Sequence, residues 1–94
     1  MPKSPRPDFL PTVADIRAAA ERIAPAAKRT RLLKSAALSE QTKADVFLKC
    51  ELEQETGSFK VRGAFNVLAS LTPEQRSRGV VASSAGNHGL GVAF

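Results

Sequence analysis

Hydrophobic positions recur along the chain with two periods. Val13, Ile16, Ala20 and Ile23 are spaced for one face of a helix. Thr12 and Asp15 stand before that run in a T-x-x-D capping pattern. Pro25 closes it, because proline lacks an N–H and restricts Ala24. From Asp45 to Leu52 the period drops to two. Val46, Leu48, Cys50 and Leu52 fall on one face; Phe47, Lys49 and Glu51 fall on the other. That alternation predicts a strand, and Phe47 predicts cover on both of its sides. Helical spacing returns with Val61, Ala64, Phe65, Leu68 and Leu71, leaving Arg62, Asn66 and Ser70 off the stripe. Ser58 is the expected N-cap. Thr72 and Pro73 open a short second helix, and Gly79 breaks it. Val80–Ser84 predicts a buried strand, followed by a tight turn into a last helix.

Two stretches follow neither period. Residues 1–11 contain Pro2, Pro5, Pro7 and Pro11 and predict a disordered lead-in. Residues 26–44 are basic and rich in small side chains and predict a connection. Lys28, Arg29 and Arg31 in it fit a phosphate contact or a solvated loop, and the loop is the simpler reading. Helix, strand, helix, strand, helix is the order of an α/β fold with parallel strands and flanking helices. Two strands are too few for a stable parallel sheet. Gly91-Val92-Ala93-Phe94 carries no helix stop signal, so the expected object is the front part of a larger fold.

Composition narrows the function classes. The 94 residues are 43% hydrophobic and carry a net charge of +5. All of that excess lies in residues 1–43, with 9 Lys/Arg against 4 Asp/Glu; residues 44–94 hold 5 of each. The candidate motifs therefore sit in the neutral part. With no Tyr or Trp to stack on bases, a solvated basic face is preferred to a nucleic-acid partner. No apolar run is long enough to span a membrane. The single cysteine, Cys50, allows no internal disulfide and is most simply a small core residue. These features predict a cytoplasmic protein. His88, the one histidine, has only Cys50 as sulfur company and predicts no metal site.

Chemistry concentrates in two stretches. "TGSFKVRGAFN" (Thr56–Asn66) puts Lys60 near a helix N-terminus and Gly63 three residues on. The positive end of the helix dipole, with burial if present, disfavours the ammonium form and favours a nucleophilic amine. Gly63 costs about 1 kcal/mol relative to alanine, but leaves room for a flat ligand or a neighbouring backbone. A snorkelling surface lysine and a packing glycine explain the same residues. "SSAGNHGLG" (Ser83–Gly91) joins the last strand to the last helix, where exposed N–H groups favour an anion. It matches neither G-x-G-x-x-G nor G-K-[ST], and an ordinary strand–helix turn is the alternative.

Together the two stretches resemble the fold type II pyridoxal-phosphate enzymes, in particular the threonine and serine dehydratases, with serine racemase as a relative. The family pattern K-x-E-x-x-Q-x-T-G-S-F-K-x-R-G-A is met by Lys49, Glu51, Gln54, Thr56, Gly57, Ser58, Phe59, Lys60, Arg62, Gly63 and Ala64. The later S-x-G-N-H is met by Ser84, Gly86, Asn87 and His88. The resemblance covers about residues 11–94, with Pro11–Pro25 resembling the opening helix. It implies that Lys60 carries pyridoxal 5′-phosphate as a Schiff base and moves protons at the substrate α-carbon. It implies that Phe59 packs on the pyridine ring and that Asn87 bonds the 3′-oxygen. It also implies that Ser84, Ala85, Gly86, Asn87 and His88 bind the substrate carboxylate.

The implied reaction is β-elimination of water from L-threonine or L-serine, giving a 2-keto acid and ammonia. The departures are Arg31, where proline is frequent, and Leu90, where glutamine is frequent. Ala85 stands where serine racemases have a serine that acts on the opposite face of the substrate, which favours a dehydratase. Val61-Arg62-Gly63 argues against the cysteine synthases, which follow their lysine with Asp-Arg. The implied layout is a lead-in (1–11), the front of the cofactor-lysine domain (12–78) and the start of a second, smaller domain (79–94). The family's glycine-rich phosphate cradle and its partner for the pyridine nitrogen lie further along a longer chain, so these 94 residues alone are expected to be inactive. Full-length members are expected to be homo-oligomers. The alternatives are a non-catalytic remnant or interaction chain, and a serine racemase-like enzyme.

Overall fold

In the computed structural model residues 10–94 are described, so most of the expected lead-in lies outside them. In chain order the elements are α1 (Val13–Ile23), β1 (Leu32–Lys34), α2 (Ala36–Thr42), β2 (Phe47–Lys49), a 3-10 turn (Glu51–Glu53), α3 (Lys60–Ala69), α4 (Pro73–Ser77) and α5 (Asn87–Ala93).

Local chemistry sets the helix starts. At α1 the Asp15 N–H donates to Thr12 Oγ1 at 3.2 Å and the Thr12 N–H donates to Asp15 at 2.8 Å. That reciprocal box satisfies two donors which the helix itself leaves unpaired. The hydrogen bond from the Thr12 backbone, then that from its side chain, holds the Asp15 carboxyl below its usual value. Thr72 and Gln75 repeat the box at α4, with Pro73 in the first turn. Gly79 ends that helix at φ +74°, a conformation that suits glycine.

The connection expected over 26–44 is instead half structured. Ser35 caps α2 by accepting from the Leu38 N–H at 3.2 Å, and Lys43 ends it in the left-handed conformation at φ 54°. Ser39 Oγ then accepts from the Val46 N–H at 2.9 Å and turns the chain into β2. Strands β1 and β2 pair antiparallel, with Leu33 opposite Leu48. Cys50 N–H to Arg31 O and Ser35 N–H to Val46 O, both 2.9 Å, extend the pairing at each end.

The strand expected over Asp45–Leu52 is therefore shorter. Glu51 and Gln54 wind their backbone into a 3-10 turn, with the Gln54 N–H donating to Glu51 O at 3.1 Å. Parallel pairing with Val80–Ser84 does not form among the described residues. That segment has no strand beside it, and Val81 is fully exposed. Cys50 is half-buried rather than in a core.

Burial is concentrated at one place. Among the described residues Val61 and Ala64, on α3, are the buried large or aliphatic side chains, and Thr30 and Gln54 are the buried polar ones. The rest of the expected stripe, Phe65 and Leu68 on α3 and Leu71 just beyond its end, is half-buried. The α1 stripe lies largely open at Val13 and Ile16. Among the described residues the firmest packing thus surrounds the first turn of α3. No helix among them is long and apolar enough to cross a membrane.

Candidate active site

Lys60 is the first residue of α3. The N-cap is Phe59, not the expected Ser58, and it has no side-chain capping bond. Ser58 Oγ accepts only a long 3.4 Å bond from the Lys60 N–H. Lys60 is exposed rather than buried. Its ammonium lies 5.2 Å from the centroid of the Phe59 ring, within reach of a cation–π attraction. No carboxylate pairs with Lys60 among the described residues.

Lys60 lines an open groove of about 570 Å³ together with Phe59, Gly63, Val67, Val80 and His88. Where a side chain on Gly63 would project there is no atom within 4 Å. The groove offers an unpaired primary amine, one aromatic ring and a smooth apolar wall where Gly63 leaves space. That donor set fits a flat aromatic aldehyde.

The second motif arrives at the same groove through α5. Gly86 caps the helix without a side-chain bond, and its own N–H donates to Ser84 Oγ at 3.2 Å. His88 lines the groove; Ser84, Ala85, Gly86 and Asn87 are not on its wall. The two helices touch through Gly91, which is buried. A Cβ there would lie 3.2 Å from Lys60 C, Lys60 O and Val61 N. The absence of a side chain at 91 lets α5 lie directly against the Lys60–Val61 peptide.

Sequence reasoning gave Lys49, Glu51, Gln54 and Arg62 no role. The structure joins them in one polar cluster behind α3. Glu51 accepts from Arg62 through Nε and, at 3.2 Å, through Nη2. It also accepts from Thr30 Oγ1 at 2.5 Å and Gln54 Nε2 at 3.2 Å. The Arg62 hydrogen bond above all, then those from Thr30 and Gln54, draws the Glu51 carboxyl down to about 2 against the opposing pull of burial. Glu51 in turn raises Arg62. Gln54 clasps the Lys28 peptide, accepting from its N–H and donating to its C=O, both at 2.8 Å. Lys49 Nζ donates to Thr30 O, and Arg62 Nη2 to Lys28 O at 3.0 Å. The available signal was charged and amide side chains at one strand end with a cation in the first turn of α3. Their partners in 28–30 are not readable from spacing.

Residues 23–94 match the family described as pyridoxal-phosphate dependent enzyme. The chain belongs to that family of enzymes, whose cofactor is pyridoxal phosphate. Among relatives, it is 51% identical over 83 residues to the L-threonine ammonia-lyase of Thermotoga maritima, covering 88% of this chain and 21% of that protein. It is 51% identical over 80 residues to the L-threo-3-hydroxyaspartate ammonia-lyase of a Pseudomonas species, covering 85% and 25%. It is 48% identical over 87 residues to the catabolic L-threonine dehydratase of Escherichia coli K12, covering 93% and 26%. The structure of maize serine racemase superposes with a TM-score of 0.77 at 43% identity, covering 86% of this chain and 26% of that one. The fold is that of part of a fold type II enzyme, as expected, and the chain spans about a quarter of the length of these relatives.

Proposed function

We propose that this chain supplies the cofactor lysine of a pyridoxal-phosphate-dependent ammonia-lyase acting on a β-hydroxy amino acid, L-threonine or L-serine. The observation that carries the reading is the meeting of Lys60, Phe59, Gly63 and His88 on one groove. The relatives named for L-threonine and for L-threo-3-hydroxyaspartate are equally similar, at 51%. Both of those substrates carry a hydroxyl on the β-carbon, so the shared chemistry is loss of that hydroxyl.

Lys60 Nζ would hold the cofactor and take the proton from the substrate α-carbon. Phe59 and the surface at Gly63 would flank the ring. The Ser84–His88 turn, with Ala85, Gly86 and Asn87, would receive the substrate carboxylate, and Asn87 would also bond the ring oxygen. The bound cofactor supplies the electron sink that makes the α-proton removable. Water leaves from the β-carbon, and hydrolysis of the product releases a 2-keto acid and ammonia. On this reading residues 12–78 open the cofactor-lysine domain and 79–94 open a smaller one. The protein works in the cytoplasm as a homo-oligomer.

The test is keto-acid formation from L-threonine and L-serine by the full polypeptide encoded by the reading frame that contains this chain. We expect activity that Lys60→Ala abolishes; activity surviving in that variant refutes the assignment. The 94-residue chain alone is expected to turn over nothing. The likeness to maize serine racemase favours a second reading, a racemase. Ala85 argues against it, and D-serine formation decides between the two.

A further inference from the structure

We propose that the Glu51–Arg62 pair is a positioning device for Lys60, fixing the rotation of the first turn of α3 and so the direction in which the lysine amine leaves the helix. This rests on the reading of Lys60 as the cofactor lysine. Arg62 follows Lys60 by two residues, so the two side chains leave the helix about 200° apart. Holding one side therefore fixes the other. The Arg62 guanidinium is bonded by Nε and Nη2 to Glu51 and by Nη2 to Lys28 O. Glu51 is itself fixed by Thr30 and Gln54, and Gln54 by the Lys28 peptide. Across the helix, the Lys60–Val61 backbone lies against Gly91.

The first turn of α3 is thus held from two sides, and it has no side-chain N-cap to hold it otherwise. For stability alone an ion pair of this kind, with Arg62 a third open to solvent, has little advantage over apolar packing. What apolar packing lacks is direction: a planar fork on a carboxylate fixes an orientation, and a lysine in its place does not. Arg62 and Glu51 therefore serve as positioning residues, acting through the helix rather than on the substrate.

The experiment uses the full polypeptide. It is incubated with pyridoxal phosphate well below its unfolding midpoint, reduced with borohydride at timed intervals, and its adducts are mapped by peptide mass. Lys43, exposed and outside the cluster, is the internal control. In Arg62→Lys, which keeps the charge and loses the fork, the Lys60 adduct should form about ten- to a hundredfold more slowly with Lys43 unchanged. Thr30→Val, which removes one bond to Glu51, should slow it severalfold. If Arg62→Lys does not fold, Thr30→Val decides alone. A wild-type adduct at Lys60 with unchanged rates in the folded variants overturns the positioning role and leaves the cofactor reading intact. Absence of any Lys60 adduct in the wild type overturns both.

Discussion

Replacing Gly91 by alanine tests how α5 is set against the lysine. The added methyl would lie 3.2 Å from three backbone atoms of Lys60 and Val61, inside the 3.4 Å at which ordinary contact begins. Backbone cannot rotate aside as a side chain tip does, so α5 must lift by a few tenths of an ångström. Overpacking of this kind costs about 1–3 kcal/mol. Removing a helical glycine returns about 1 kcal/mol, leaving a net loss of roughly 0–2 kcal/mol. Asn87 and His88 lie one turn before Gly91, so the lift carries them away from Lys60. Since a displacement of about 1 Å costs roughly a hundredfold, a shift of a few tenths should lower kcat/KM about three- to tenfold. The assay is urea unfolding and steady-state kinetics of the full polypeptide, with Gly89→Ala alongside. A Cβ at Gly89 meets Ser84 at an ordinary 3.6 Å, so that variant should lose nothing by overpacking. If Gly91→Ala matches Gly89→Ala in both stability and kcat/KM, the close approach does not set the site.

Other substitutions separate stability from binding. Gly63→Ala has open space around it and should stabilise α3 by up to about 1 kcal/mol. The same methyl enters the groove beside Lys60, so pyridoxal-phosphate titration should show weaker binding; unchanged affinity would contradict the groove. Thr72→Ala removes the capping box of α4 and should cost about 1 kcal/mol in urea with kcat unaffected. Glu51 sets an acid dependence. Its carboxyl lies at about 2 in the fold against an ordinary 4.5. A carboxylate lowered by folding contributes stability that is complete above about pH 4.5 and lost as pH falls through about 2. The contribution is at most roughly 3 kcal/mol, and nearer 1–2 because the Arg62 side chain is a third open to solvent. Urea midpoints measured down the acid limb should fall more steeply in the wild type than in Glu51→Gln.

Much of the helical part was legible because its signals are local. The T-x-x-D box at Thr12, the Thr72–Pro73 start and the apolar stripe from Val61 depend on residues within one or two turns. Strand pairing was not legible. Leu32–Lys34 is too short to show a period, and its partner is chosen by Ser35 and Ser39 turning the chain back toward β2. A lysine in the left-handed position at 43 also hid the end of α2, where a glycine would have marked it. Val80–Ser84 has the composition of a buried strand, but burial depends on neighbours that the described residues do not supply. At the site, Lys60, Phe59 and His88 could be placed on shared elements from the two motifs. The Glu51–Arg62 cluster could not, because its meaning depends on contact with the Lys28–Thr30 backbone.

The most direct test of Lys60 as the cofactor residue is the site of the adduct trapped by borohydride reduction of the full polypeptide with pyridoxal phosphate. We predict one dominant modified peptide, the one containing Lys60, and its loss in Lys60→Ala. Modification spread evenly over exposed lysines such as Lys34 and Lys43, or a dominant adduct that persists in Lys60→Ala, would contradict the account.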